Sequence, residues 1–182
     1  NIECFDVFKL KPQKDLFYAM SHGVNRASLK PGKIDDRVNF LDKLVKKLDS
    51  IDFDFYGYEN IEPIWGNDFY KALINSKMGL NLSRGLPSKY YSSNRIASLM
   101  GNGLLTFIDN RTYLNDIFKK DELIFYENIS DLSDKIKFYK SKSKLRNKIA
   151  AKGKKKYFRL FNEKRICEYI TKTITGKNFD LF

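Results

Sequence analysis

Residues 90–109 read YYSSNRIASLMGNGLLTFID, and this stretch carries the signals that decide the fold. Positions 92–94, SSN, are residue types that cap the start of a helix. The pattern then predicts a helix over residues 95–100, which the GNG sequence at 101–103 ends. The apolar run at 104–109 predicts a buried strand. A short helix that leads directly into a buried strand is typical of a layered α/β domain.

The same alternation extends in both directions along the chain. Further strands are predicted at the apolar runs 16–20, 51–58, 78–83 and 123–127. Further helices are predicted from the first-turn acids Asp35 and Asp36 to Leu48, from a cap at Asn67 or Asp68 to Ile74, from Ser130 or Asp131 to Tyr139, from Ser143 onward, and over residues 163–174. Such alternation implies a mostly parallel sheet with helices on both faces. We therefore expect a Rossmann-like α/β fold.

The chain fits one domain. It has 182 residues, of which 42% are hydrophobic and 31% charged, as in a soluble globular protein. We assign residues 1–182 to a single domain, with 1–10 as a linker or the start of the domain and 163–182 as a C-terminal helix and tail. The first residue is Asn1 rather than Met, so we expect the chain to begin inside a longer protein.

The cysteines and the charge indicate a setting and a class of partner. Cys4 and Cys167 are far apart, which argues against a disulfide scaffold and favours a reducing, cytoplasmic setting. The net charge of +12 (34 − 22) predicts an anionic partner: phosphorylated ligands, an anionic membrane surface or nucleic acid. Much of the positive charge lies in residues 140–156. We favour a solvated helix face or peripheral contact with a membrane as the explanation of this charge, and nucleic acid is an unlikely partner.

Two loops are candidates for a ligand site, because open parallel sheets bind ligands beyond the carboxyl ends of their strands. The first is SHGVNRASLKPGK at 21–33, which is basic and contains glycine. The second is SRGLPSKYYSSNR at 83–95, which offers hydroxyls, cations and a helix N-terminus. Backbone N–H groups at a helix start bind phosphate, and an arginine beside them can hold it bidentately. Together the two loops could enclose a diphosphate.

The candidate ligand-binding residues come from these two loops and the helix that follows the second. They are His22, Gly23, Arg26, Lys30, Ser83, Arg84, Tyr91, Ser93, Asn94, Arg95 and Ser98. Other interpretations remain open: a surface salt bridge for Arg95, loop packing for Tyr91, and a hydrogen-bonded loop histidine for His22. No general base is evident among them, so the catalytic residues are unknown.

Several motifs are set aside. Asp52 and Asp54 form a DxD pattern, but they alternate along a predicted strand and fit solvated residues of one face. His22 is the only histidine and no close Cys/His spacing exists, which argues against a zinc site. The chain has no GxxxxGK[ST] sequence, and its GNG sequence ends a helix instead of opening one. We therefore expect neither a metal nor a cofactor.

The stretch at 90–109 resembles the donor-binding segment of GT-B glycosyltransferases, and more narrowly the glycosyl transferases group 1 type that includes CgeB-like proteins. The pattern there is an arginine, an apolar helix, a glycine eight residues on and a hydrophobic strand; Arg95 and Gly103 keep this spacing. SKMGLNLSRG at 76–85 resembles the preceding strand and its exit loop. The later strand, short acidic helix and basic helix are also present, and the match spans roughly residues 60–172.

The resemblance implies the C-terminal, donor-binding half of a GT-B fold, with the N-terminal acceptor domain absent from this chain. The substrate would be a nucleoside-diphosphate sugar. Metal-independent transfer would go to a cell-surface glycan or a lipopolysaccharide-type glycolipid, in the bacterial cytoplasm or peripheral to the inner membrane. The chain alone would be inactive.

One residue departs from the family pattern. Ser98 stands where related enzymes carry a glutamate that bonds the donor ribose. The alternatives are a non-catalytic basic module that binds nucleic acid or a protein, and an inactive sugar-nucleotide sensor.

Overall fold

The computed structural model describes residues 5–21, 28–30, 33–34, 36–91 and 93–180, with side chains for residues 5–21, 36–91 and 93–180. Strands and helices alternate through this part of the chain. In chain order they are β1 (Lys14–Ala19), β2 (Ser28–Lys30), β3 (Lys33–Ile34), α1 (Asp36–Val45), β4 (Phe53–Tyr56), α2 (Gly66–Ile74), β5 (Ser76–Asn81), α3 (Asn94–Gly101), β6 (Leu105–Asp109), β7 (Ile124–Tyr126), α4 (Ile129–Ser141), α5 (Ser143–Leu160) and α6 (Glu163–Ile174).

Five of the strands form one parallel sheet in the order β4-β1-β5-β6-β7. After β1 the chain forms β4 on one side of β1, and it then crosses to the other side, where β5, β6 and β7 follow in order. The order therefore reverses between β1 and β5, and a crevice is expected beyond the carboxyl ends of those two strands. This topology confirms the predicted Rossmann-like α/β fold.

The central strand β1 is buried on both of its faces. Leu16 and Tyr18 belong to a core cluster that also contains buried residues of α1, α4 and α5. Phe17 and Ala19 point the other way and belong to a second cluster with residues of α2 and α3. Successive side chains of a strand alternate between faces, so a continuous apolar run needs cover on both sides.

A glycine lets α3 approach the sheet closely. A Cβ atom on Gly79 of β5 would lie 2.3 Å from Cδ2 of Leu99, which is itself fully buried. A larger residue at position 79 would force the end of the Leu99 side chain to move. The close packing holds the N-terminus of α3 beside the carboxyl end of β5, where the candidate site lies.

Two predicted helix starts are wrong. Helix α2 is preceded by Trp65 at the capping position rather than by Asn67 or Asp68, and Gly66 turns the chain with a φ of +54°. Helix α4 begins at Ile129, one residue before the predicted Ser130, because the side chain of Asn128 accepts a hydrogen bond from the N–H of Asp131 at 3.0 Å. Both corrections shift the start toward the preceding strand.

Other segments differ from the sequence reading in smaller ways. Strands β2 and β3 pair as an antiparallel hairpin inside the stretch that was predicted to be a loop. Near the start of the chain, Val7 is buried and its N–H donates to the backbone oxygen of Asn102 at 3.1 Å. None of the described helices is both long and apolar enough to span a bilayer.

Candidate donor-binding site

The reversal of strand order opens a pocket beyond the ends of β1 and β5, which we call the switch-point pocket. Its volume is about 620 Å³. The described residues that line it are Ala19, Met20, Ser21, Trp65, Tyr91, Ser93, Asn94 and Arg95. The lining therefore comes from the end of β1, the start of α2 and the start of α3, as expected for a ligand crevice in an open α/β sheet.

Arg95 fastens the two strand ends together. Its Nη1 donates to the backbone oxygen of Leu82 at 2.8 Å and to Oδ1 of Asn81 at 3.4 Å. Its Nε donates to the backbone oxygen of Ala19 at 3.3 Å. The guanidinium carbon also lies 5.1 Å from the ring centroid of Tyr18. The side chain thus bridges the carboxyl ends of β1 and β5.

These contacts leave the charge of Arg95 uncompensated. Every oxygen that the guanidinium contacts among the described residues is a neutral carbonyl, and Nη2 has no acceptor there. The surface salt bridge that the sequence left open is not among these contacts. Because the side chain is half-buried and fixed in place, it presents a cation of defined position to the pocket.

The N-terminus of α3 lies in the same pocket and has no side-chain cap. Ser93 occupies the capping position in an extended conformation, but its hydroxyl donates to Oδ1 of Asn81 at 3.1 Å instead of accepting from the helix. The first N–H groups of a helix have no partner within the helix. Without a side-chain cap they can bind an anion, which the helix dipole favours.

A smaller pocket adjoins the first one at the ends of β5, β6 and β7. The carboxylate of Asp109 is one of its lining groups. It accepts from the backbone N–H of Arg111 at 2.8 Å, from Nε at 3.0 Å and from Nη2 at 2.7 Å. Tyr126 also lines this pocket; its buried hydroxyl has no partner among the described residues, and burial raises its pKa. Tyr91 lines both pockets.

The structure brings together four of the residues selected from sequence: Tyr91, Ser93, Asn94 and Arg95 all line the switch-point pocket. Ser83 lines the adjoining pocket instead.

Among the other selected residues, the structure describes the side chains of Arg84 and Ser98, and neither lines the two pockets. Arg84 is exposed and is not among the residues that line either pocket. Ser98 lies one turn into α3, where its hydroxyl donates to the backbone oxygen of Asn94 at 3.3 Å. Lys30 is the last residue of β2, and its side chain is not among those that the structure describes. His22, Gly23 and Arg26 lie outside the described residues altogether.

Sequence reasoning missed Trp65, which lines the switch-point pocket and is 62% exposed. The available signal was that the single tryptophan of the chain stands immediately before a helix that follows a strand. The β-α junctions are the places where an open α/β sheet presents side chains to a ligand.

The described part of the chain has no group of three or more side chains suited to hold a metal ion. The DxD carboxylates, Asp52 and Asp54, instead approach the amino group of Lys14 at 2.9 and 3.8 Å. Both carboxylates lie near one lysine at the edge strand β4, away from the switch-point pocket.

Most of this chain matches the model of a known protein family. The model of a family described as glycosyl transferase-like matches residues 37–171. The structure titled "Crystal Structure of TarM" superposes with a TM-score of 0.64 at 15% identity, covering 92% of this chain and 36% of that one. No curated protein matches this chain.

A second solved structure is similar over nearly the whole chain. It is titled "Crystal structure of Anabaena Alr3699/HepE in complex with UDP" and gives a TM-score of 0.55 at 11% identity. The match covers 97% of this chain and 45% of that one. The chain therefore spans less than half the length of both structures, and at these identities the likeness is one of fold.

Proposed function

Because this chain belongs to the glycosyl transferase-like family, we propose that its switch-point pocket binds the nucleoside diphosphate of a sugar donor. The family match and the two structural neighbours confirm the resemblance to a GT-B glycosyltransferase domain. The observation that carries the proposal is the placement of Arg95, a cation held by neutral oxygens beside the uncapped start of α3. HepE, a neighbour in fold, has been solved in complex with UDP.

This arrangement suits the chemistry of glycosyl transfer. In the reaction the bond between the anomeric carbon and the diphosphate oxygen breaks, and an acceptor hydroxyl forms the new bond. Negative charge therefore develops on the departing diphosphate. A guanidinium and helix N–H groups already in position stabilise that charge without reorganising, which lowers the barrier. In this proposal they do so without a metal.

We propose that the basic stretch 21–33 also contributes to the donor site. Arg26 and Lys30 follow β1 in the sequence. A strand-end loop of this kind would contribute positive charge to the pocket at the end of β1. His22 and Gly23 would contact the donor from the same loop. The acceptor, a cell-surface glycan or glycolipid, and the base that takes the proton of its hydroxyl would come from another domain.

Only some of the lysines of the basic helix α5 are left to contact a membrane. Several of its lysines reach carboxylates of the same chain: Lys152 pairs with Asp121 at 2.5 Å, and Lys156 pairs with Glu122 at 2.9 Å. Such pairs attach the helix to the domain and reduce the charge left for a partner. The proposed cytoplasmic enzyme, peripheral to the inner membrane, would use the other lysines of this helix.

The alternative of a nucleic-acid-binding module fits the geometry less well. Such a module would spread basic and aromatic residues over one open face. Here Arg95 and the start of α3 converge in one pocket instead. The nucleotide-sugar donor is therefore the proposed ligand.

A thermal-shift screen against nucleotides and nucleotide sugars tests the proposal. A ligand that binds the folded chain raises its melting temperature by mass action. We expect nucleoside diphosphates and their sugar conjugates to raise it and free nucleosides to have little effect. A screen in which no nucleoside diphosphate stabilises the chain would contradict the proposed function.

A further inference from the structure

Trp65 has a large, exposed side chain, while residues on both sides of it pack against the core. It is the only tryptophan in the chain and is 62% exposed. Ile64 before it and Phe69 after it pack against the core cluster that contains Leu73 of α2. The backbone at Trp65 is extended, and Gly66 then turns into α2 with a φ of +54°. The indole is therefore exposed although the segment that carries it is anchored.

The fold places this indole in the same pocket as the cation of the proposed site. Trp65 lies between β4 and α2, whereas Arg95 lies at the start of α3 after β5. Strands β4 and β5 flank β1 on its two sides. Both residues line the pocket beyond the end of β1, so an aromatic surface and a guanidinium approach it from different strands.

These two features match the two ends of a nucleotide. A phosphate group needs the cation and the helix N-terminus, and a planar base needs an aromatic face on which to stack. The pocket volume of about 620 Å³ is in the range of small-molecule and cofactor sites. Tyr91, which is 50% exposed in the same lining, adds a second aromatic ring.

We propose that Trp65 stacks on the base of the bound nucleotide and supplies most of the affinity that the base contributes. This inference rests on the proposed function, since it takes the diphosphate to lie at Arg95. Stacking on an indole needs a π-face and no particular hydrogen-bond pattern, so UDP and GDP both depend on Trp65. Inorganic pyrophosphate, which has no base, does not.

The single tryptophan allows a direct experiment. Because Trp65 is the only indole, selectively excited tryptophan fluorescence reports on this position alone. Titration of the chain with UDP or GDP is expected to change that fluorescence in a saturable way. Inorganic pyrophosphate is expected to compete with UDP in calorimetry while it leaves the indole emission nearly unchanged.

Substitution measures the contribution to affinity. Base–aromatic stacking removed by alanine corresponds to roughly a 5- to 150-fold loss of affinity. We expect Trp65→Ala to weaken UDP and GDP by this factor, Trp65→Phe to retain part of it, and both to leave pyrophosphate binding unchanged. The exposed indole gives little stability, so the melting temperature should barely move. Tyr169→Ala, which removes an exposed ring on α6 outside this pocket, is the matched control.

The outcomes separate the inference from the proposed function. If UDP binds the unmodified chain, but Trp65→Ala binds it equally well and the indole emission stays constant, the inference is wrong and the donor site stands. If neither UDP nor pyrophosphate binds the unmodified chain, the proposed function fails and the inference fails with it. Loss of UDP affinity with pyrophosphate affinity retained supports both.

Discussion

Nη1 of Arg95 donates a hydrogen bond to the backbone oxygen of Leu82 at 2.8 Å, so the start of α3 is fastened to the end of β5. The same guanidinium reaches the backbone oxygen of Ala19 at the end of β1. One side chain therefore joins the two strands between which the sheet order reverses. Its position depends on the strand ends and not on the ligand, which is the condition for a preorganised anion site.

The first prediction concerns the removal of this guanidinium. Arg95→Ala should weaken UDP binding roughly ten- to a hundredfold, because hydrogen bonds to charged groups are worth about 1.5–3 kcal/mol. Arg95→Lys should recover only part of the affinity, since an ammonium cannot make the planar two-pronged contact. Calorimetric titration of each variant with UDP measures the change.

The structure adds a stability effect that the sequence did not predict. Arg95→Ala also removes the bridge between the ends of β1 and β5, so its melting temperature should fall modestly, by an amount that corresponds to about 1–2 kcal/mol. Arg159→Ala, which removes an exposed cation of α5, is the control and should change neither quantity. Unchanged UDP affinity in Arg95→Ala would remove Arg95 from the site.

The second prediction concerns a tight contact between α5 and the chain before β7. A Cβ atom on Gly153 would lie 2.1 Å from the backbone oxygen of Glu122. Backbone cannot move aside as a flexible side chain can, so Gly153→Ala should destabilise the domain by about 1–3 kcal/mol despite the better helix propensity of alanine. Chemical denaturation measures the change in the free energy of unfolding.

Gly101 of α3 provides the matched comparison, because it too lies in a helix. A Cβ atom there would meet only the ring of Phe158, at an ordinary contact distance of 3.6 Å. Gly101→Ala should therefore leave the free energy of unfolding unchanged or raise it slightly. Equal stability of the two variants would show that α5 does not pack against Glu122 as described.

The strands and most helices of this fold could be predicted from sequence because their signals are local. A continuous apolar run such as residues 104–109 is typical of a parallel strand that is covered on both faces, and β6 is buried at every residue. The caps at Trp65 and Asn128 were missed for a different reason. Trp65 makes no side-chain cap and Gly66 turns the chain there, so residue types alone favoured Asn67 or Asp68. Asn128 is a good capping residue, but Ser130 and Asp131 follow it closely and offer the same signal.

The site was only partly predictable, because its key contacts join distant parts of the chain. The stretch 83–95 was selected as a candidate site through residue types alone, and four of its selected residues line the switch-point pocket. The bonds from Arg95 to Ala19 and Leu82 depend on which strands become neighbours, which residue types do not reveal. The same holds for Trp65, whose place in the pocket follows from the position of β4 next to β1.

The third prediction concerns acid stability. Asp15 is 2% exposed; burial raises the pKa of its carboxyl, but hydrogen bonds from Lys140 and Lys77 and from the N–H of Asp52 outweigh burial, and the pKa lies below its ordinary value. A depressed pKa in the folded state gives stability that is present above the unfolded pKa of about 4 and is lost as the pH falls through the folded value. The melting temperature should therefore fall in acid below about pH 4.

Substitution of this carboxylate isolates its share of the effect. Asp15→Asn should lower the melting temperature at neutral pH, since it breaks ion pairs with Lys77 at 2.9 Å and Lys140 at 2.6 Å. It should also flatten the acid dependence. Asp68→Asn, which breaks an exposed pair with Lys71, should do neither. A wild-type acid profile in Asp15→Asn would contradict this assignment.

The fourth prediction is that the chain alone transfers no sugar. The described residues that line the switch-point pocket include no carboxylate and no histidine that could act as a general base, and the chain spans 36% and 45% of the two similar structures. Incubation with UDP-sugars and simple acceptors, followed by chromatography of the products, should show no transfer. Detectable turnover would place an acceptor site and a base within these 182 residues.

Above all we propose that the switch-point pocket binds a nucleoside diphosphate, and calorimetric titration of the unmodified chain with UDP is the decisive measurement. We expect weak, saturable binding of UDP or GDP with a dissociation constant near or below about 1 mM, and much weaker binding of uridine. Binding should weaken in Arg95→Ala. Absence of binding by every nucleoside diphosphate at millimolar concentration, or equal binding of UDP and uridine, would contradict the proposal that this pocket binds a nucleoside diphosphate.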